Sequence, residues 1–152
     1  MTSLTDLPAR VLSELIATRD VSCLEVMQVF LGRIHALNPD LNALVNLASE
    51  ERCLSLATAA DSALAKDNYQ GWLHGIPVAI KDLANAEGFP STFGSPLFEN
   101  LMAPKDDPHV SRMKAAGALV IGKSNVPEWG LGGHTRNALF GLTRNGRDPS
   151  LS

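Results

Sequence analysis

Gly75-Ile76-Pro77-Val78-Ala79-Ile80-Lys81-Asp82 is the stretch from which the fold is read. Ile76 to Ile80 is a compact apolar run between a glycine and two charges, the pattern of a short buried strand. Ala118-Leu119-Val120-Ile121 has the same texture and predicts a second buried strand. Between them, Ala84 to Pro104 carries two glycines and three prolines among scattered aromatics. That segment reads as an irregular loop, and loops of such length inside a compact domain are often functional. Asp106-Asp107-Pro108 then opens a helix, with Asp near the N-cap and Pro in the first turn, and Gly117 stops it. Strand, loop, helix and strand in that order predict an α/β layer.

Upstream of Gly75 the chain reads as mostly helical. Ser22-x-x-Glu25 is a capping box that opens a helix, along which Val26, Val29, Phe30, Arg33, Ile34 and Leu37 follow helical spacing. Asn38-Pro39 is expected to end it. A shorter helix is expected from about Pro8 to Thr18, and a third over the Ala- and Leu-rich stretch Ala48 to Lys66. Asn42 to Leu47 suits a short strand, and Asp67 to Gly71 a turn. Glycine, Asn, Thr and Arg dominate from Gly122 to Ser152.

The 152 residues suit one domain, and 45% hydrophobic against 19% charged residues permits a packed core. A net charge of -3 argues against nucleic acid or an anionic membrane surface as partner. No run of about 18 apolar residues predicts a membrane span. Met1 to Asp6 lacks the basic and apolar regions of a signal peptide. Cys23 and Cys53 form neither a disulfide framework nor a metal cluster, and reduced thiols in a cytoplasmic protein are expected.

Gly117-Ala118-Leu119-Val120-Ile121-Gly122-Lys123-Ser124 matches the letters of a phosphate-binding P-loop. The context is reversed. A helix precedes the first glycine, the intervening residues read as a strand, and Pro127 stands where the following helix should begin. The plainer reading is a helix stop, a buried strand and a polar turn; nucleotide binding at 117–124 is kept as an alternative. His35, His74, His109 and His134 show no metal-ligand spacing, so neither a metal nor a cofactor is expected. His134, in a glycine-rich stretch, could face a cleft but reads more simply as a solvated loop residue.

Lys81 is the principal candidate for chemistry. A lysine that gives up solvation at a strand end can act as a base. The plain alternative is an ordinary solvated lysine, since strand ends accept one easily.

Three blocks together resemble the amidase signature family. Gly75 to Asp82 is similar to its lysine motif. Gly122-Lys123-Ser124-Asn125-Val126-Pro127-Glu128-Trp129-Gly130 resembles its G-K-[ST]-N-x-P-E-[FW]-x segment. Thr135-Arg136-Asn137-Ala138-Leu139-Phe140-Gly141-Leu142-Thr143-Arg144-Asn145 resembles T-x-N-x-x-F-G-x-x-x-N. The order agrees, and the likeness runs from about Leu7 to the last residue. It implies an α/β fold in which N-terminal helices are followed by strands of a mixed sheet flanked by helices. Residues 1–152 would form the N-terminal portion of a single amidase domain, helical over about 7–67 and α/β over about 72–152, hence an incomplete amidase-signature fold.

The activity the resemblance implies is amide hydrolysis by a Ser–Ser–Lys triad, with Lys81 as terminal base and Gly130 and Leu131 bordering the substrate. The family's G-G-S-S-G-G signature is expected just beyond Ser152, and it and the nucleophile beyond it supply the two serines. Asn145-Gly146-Arg147-Asp148 also departs from the family's N-P-W-D. The 152-residue chain alone is therefore expected to be inactive. The partners expected are a small-molecule amide substrate in the parent enzyme and either a further copy of the chain, as a homo-oligomer, or the C-terminal part of the same protein, with no nucleic acid and no membrane. The alternatives are a non-catalytic fragment needing a complementary chain and the amide-cleaving component of a tRNA-dependent amidotransferase.

Overall fold

A computed structural model describes residues 3–152; the leader-region reading on Met1 and Thr2 falls outside the described residues. Among the described residues four α-helices form: α1 (Ala9–Ala17), α2 (Cys23–Leu41), α3 (Glu50–Ala65) and α4 (Pro108–Ala115). They alternate with β1 (Leu44–Val45), β2 (Pro77–Lys81) and β3 (Leu119–Ser124), and a ribbon of β4 (Arg136–Asn137) and β5 (Gly141–Leu142) follows. The larger sheet has the order β1-β3-β2. β1 is antiparallel to β3, with Leu44 opposite Ser124 and Val45 opposite Lys123. β2 runs parallel to β3, since Leu119 N donates to Ile76 O and Asp82 N to Ser124 O. The sheet is thus mixed and the fold α/β, as expected.

The chain divides into two compact units. The first comprises residues 3–34, 48–78 and 111–121. Its core is apolar: Leu12 and Ile16 of α1, Cys23, Val26, Met27 and Leu31 of α2, Cys53, Ala57, Ala60 and Leu64 of α3, and Leu73, Ile76, Ala118 and Ile121. The capping box of α2 forms in full: Glu25 N donates to Ser22 Oγ at 3.1 Å and Ser22 N to Glu25 Oε2 at 2.9 Å. Asp61 of α3 adds a second cap by accepting from Cys23 N and Leu24 N. Two glycines are required here. A Cβ at Gly75 (φ +76°) would lie 2.2 Å from Cys23 Sγ, and one at Gly117 (φ +93°) would lie 2.5 Å from His74 Cα.

Several expectations shift. The buried face of α2 in this unit is Cys23, Val26, Met27 and Leu31, with Phe30 and Ile34 packed beside it. Val29 is 38% exposed, and Arg33 lies at the rim, paired with Asp6 at 2.9 Å. The α2 stripe expected from spacing is therefore rotated toward solvent relative to the face that packs. α1 and α3 are trimmed at both ends, with Pro8 as the N-cap of α1 and the Ser49 hydroxyl capping α3.

The second unit comprises residues 35–47, 79–110 and 122–152. Here α2 runs through Pro39 to Leu41 instead of stopping at Asn38. Proline removes one donor, but the last turn is closed by other bonds. Asn42 N donates to Asn38 O, and the Asn38 side-chain oxygen accepts from Ala43 N and Leu44 N. The expected loop from Ala84 to Pro104 is indeed irregular. It holds one 3-10 turn, Pro96–Phe98, and is tied down by Asp106 and Asp107, whose carboxylates accept from Glu87 N and Asn85 N.

Candidate functional site

Lys81 is the last residue of β2, and Ala84 N donates to its carbonyl to turn the chain away. Its neighbours Ile80 and Asp82 are buried while Lys81 itself is exposed. The strand therefore ends on a solvent-facing amine whose backbone is fixed on both sides.

Asp82 takes part in that fixation: its N–H donates to Ser124 O. Its side chain is fully buried and lies 3.1 Å from Nζ of Lys123, also fully buried. The Lys123 ammonium donates further to Ala84 O at 2.7 Å and Pro90 O at 3.2 Å. Three protons meet three acceptors, so the cation is satisfied without water. Thr92 completes the network: its hydroxyl donates to Asp82 Oδ2, its N–H donates to Oδ1 at 3.3 Å, and its Oγ1 accepts from Gly94 N at 3.1 Å.

The sequence pattern puts Lys123 in a polar turn. The residue lies instead within β3, which runs on through Ser124, with Val45 as its sheet partner. A P-loop needs free backbone donors and a lysine free to reach phosphate. Here Gly117 N and Ala118 N are spent on carbonyls of α4, residues 119–124 belong to β3 and the amine is held by Asp82, so the nucleotide reading of 117–124 is set aside. A signal that locates Lys123 is its position directly after Val120-Ile121-Gly122: a charge continuing an apolar strand needs a buried counter-charge. Nothing in the intervening sequence points to Thr92.

The second and third family-like blocks are also joined. Asn137 Nδ2 donates to Asn125 Oδ1 at 2.7 Å and to Val126 O at 2.8 Å. Asn137 Oδ1 accepts from Leu139 N and Phe140 N, and Asn125 Nδ2 donates to Thr143 Oγ1 at 3.0 Å. These carboxamides hold backbone and are therefore structural.

Gly130 and Leu131 close a 3-10 turn, Glu128–Gly130. Gly130 has φ +73°, and a Cβ there would lie 2.7 Å from Leu83 Cδ1. Leu131 is 78% exposed. Beside them Trp129 takes φ 57° and Phe93 φ 54°, left-handed values that cost a bulky residue energy. Trp129 N donates to Phe93 O, the two rings stack at 6.0 Å, and Phe98 meets Trp129 edge-on at 5.1 Å. Ser95 Oγ donates to Glu128 Oε1 at 2.7 Å. His134 is exposed, with Nδ1 3.1 Å from Ser152 Oγ. Among the described residues no group of His, Cys, Asp and Glu could hold a metal, and no helix is long and apolar enough to cross a membrane.

Burial pushes the Cys23 thiol up to about 12, with Asp61 adding to the effect, and burial also raises Cys53. Both thiols are free and buried, which suits packing better than nucleophilic chemistry.

A sequence profile of the family described as Amidase matches residues 25–152. The indoleacetamide hydrolase of Bradyrhizobium diazoefficiens is 43% identical over 132 residues, covering 87% of this chain and 25% of that protein. The A component of the glutamyl-tRNA(Gln) amidotransferase of Rhodococcus erythropolis is 39% identical over 146 residues, covering 95% of this chain and 30% of that protein. The crystal structure of a peptide amidase from Stenotrophomonas maltophilia superposes with a TM-score of 0.86 at 30% identity, covering 95% of this chain and 31% of that one. The chain thus spans about a quarter to a third of the length of these relatives.

Proposed function

The chain belongs to the amidase signature family, and from that premise we propose that it is the N-terminal portion of a single amidase domain hydrolysing a carboxamide through a Ser–Ser–Lys relay. Lys81 is the terminal base: it takes the proton of one serine, which in turn activates the serine that attacks the amide carbon. Splitting amide cleavage into acylation and deacylation replaces one difficult step with two easier ones. The observation that carries this reading is the placement of Lys81. It is the exposed end of a strand whose flanking residues are buried, and its neighbour Asp82 is committed to Lys123 and Thr92. That arrangement aims an amine at a surface while holding its backbone still.

Gly130 and Leu131 are proposed to border the acyl group. Leu131 is the better probe, because its exposure lets it be truncated without loss of packing. Any side chain at Gly130 would strain the backbone and press on Leu83, so substitution there disturbs fold as well as specificity. The substrate proposed is a small carboxamide, and no cofactor enters the relay. The peptide of residues 1–152, which carries the lysine without the family's Gly/Ser-rich segment, is proposed to be inactive alone.

The test compares two polypeptides. The intact amidase should release ammonia from members of a carboxamide panel that includes indoleacetamide and peptide amides. Residues 1–152 alone should release none. No turnover by the intact polypeptide on any amide counts against the reading, as does turnover by 1–152 alone. A role as one component of a tRNA-dependent amidotransferase is the second reading, favoured by the 39% identity to the Rhodococcus protein over 95% of the chain. It predicts that amide turnover by the intact polypeptide depends on added partner proteins of that assembly.

A further inference from the structure

The fully buried pair of Lys123 and Asp82 is the least expected feature of the second unit. Two charges leave water to form it, and a buried ion pair rarely stabilises a fold more than apolar residues of the same volume do. Such a pair is better understood through what it specifies. Each of its partners lies on chain that either carries or follows Lys81. Asp82 is the next residue, and its N–H is bonded to Ser124 O of β3. Ala84 and Pro90, whose carbonyls take the remaining protons of Lys123, belong to the segment that leaves β2. Thr92 grips both oxygens of Asp82 through its hydroxyl and its N–H, and its Oγ1 also accepts from Gly94 N. The network thus clamps the turn from Lys81 to Thr92 from within.

The clamp also answers an electrostatic difficulty in the sequence. A carboxylate directly beside a lysine favours the ammonium over the neutral amine that a base must be. The structure gives that carboxylate a different, buried cation.

We propose that Lys123 and Thr92 are positioning residues for Lys81: by binding Asp82 they fix the direction in which the Lys81 side chain leaves β2 and divert the neighbouring carboxylate from it. This rests on the reading of Lys81 as the catalytic base. Lys123 touches neither substrate nor serine; it acts through Asp82 and the backbone.

The test is made in the intact amidase with a carboxamide it hydrolyses, by measuring kcat and KM separately together with thermal unfolding. Thr92→Val keeps the side-chain shape and removes the hydroxyl, so it should lower kcat about tenfold with KM unchanged, because misdirection of a reacting group affects the chemical step. Thr92→Ser, which returns the hydroxyl, should bring kcat back to within about twofold of the parent. Lys123→Met should lower kcat by roughly 100-fold. Loss of thermal stability with unchanged kcat in the folded Thr92→Val enzyme would make the network merely structural and overturn the proposal. So would failure of Thr92→Ser to recover what Thr92→Val loses. Lys81→Ala separates the two levels. If it is inactive while Thr92→Val has normal kcat, only the positioning role fails; if it retains normal kcat, the base assignment fails and the positioning role with it.

Discussion

The first unit closes over an apolar set that includes Ile16, Cys23, Val26, Met27 and Cys53, whereas the second buries Asp82, Thr92, Ser95 and Lys123 beside apolar residues such as Ile80, Phe89, Val110 and Val126. Both sets are essentially removed from solvent, yet they do different physical work. Apolar burial is non-directional and tolerates exchange of similar volumes, so the first unit can hold its helices with many alternative residues. A buried polar group costs free energy unless it finds a partner at hydrogen-bond distance, so exchange at the paired Asp82, Thr92 and Lys123 of the second unit is expected to be more damaging than exchange of similar apolar volumes. Stability is spread over the first. In the second, geometry is concentrated at the turn that carries Lys81. The blocks that identify the family fall mostly in the second unit, which is where direction matters more than bulk.

That contrast can be broken most severely at Asp82. Asp82→Ala leaves the Lys123 ammonium buried without a counter-charge and should cost about 4 kcal/mol. Urea denaturation of the purified variant measures it, and a loss under about 1 kcal/mol would mean that water or relaxation replaces the carboxylate. In the first unit, Ile16→Ala should cost about 3 kcal/mol through lost burial and a residual cavity, while Ile16→Met should cost about 1 kcal/mol or less. If the methionine variant is as damaging as the alanine one, the first core is as demanding as the second and the comparison collapses.

Smaller effects lie at the start of α2. Ser22→Ala should remove about 1 kcal/mol by deleting the cap. Glu25 is held below its ordinary value by the Ser22 N–H and hydroxyl. A lowered carboxyl stabilises the fold above its unfolded value of 4.5 and loses that contribution as pH falls through its folded value. The difference between parent and Glu25→Gln should therefore shrink below pH 4.5. The Cys23 thiol runs the opposite way. Because its folded value is raised from 9.0 to about 12, its contribution is complete below pH 9 and disappears as pH rises toward 12. Alkaline unfolding that begins at a lower pH in the parent than in Cys23→Ala would agree; no difference would count against it.

Local signals in the sequence carry well into the structure. The capping box at Ser22 and the helix stop at Gly117 depend on residues a few positions apart, and both form. The strand ending in Lys81 and the irregular segment after it are legible from composition alone. Pro39 misleads because a proline near a helix end can be accommodated when side chains close the last turn, as Asn38 does. The face of α2 is hard to judge because the helix carries apolar residues around much of its circumference, and only its packing partners decide which are covered. The partner of Lys123 escapes a local reading because Asp82 stands far away in sequence. The local pattern offers a glycine-lysine-serine turn, and tertiary pairing makes it a strand.

The claim on which the functional account turns is that Lys81 is the base. The direct measurement is kcat of Lys81→Ala in the intact amidase, with circular dichroism confirming the fold. The account predicts a fall of roughly 10⁴-fold with the melting temperature unchanged, since the residue is an exposed strand end. A kcat within about tenfold of the parent would contradict it.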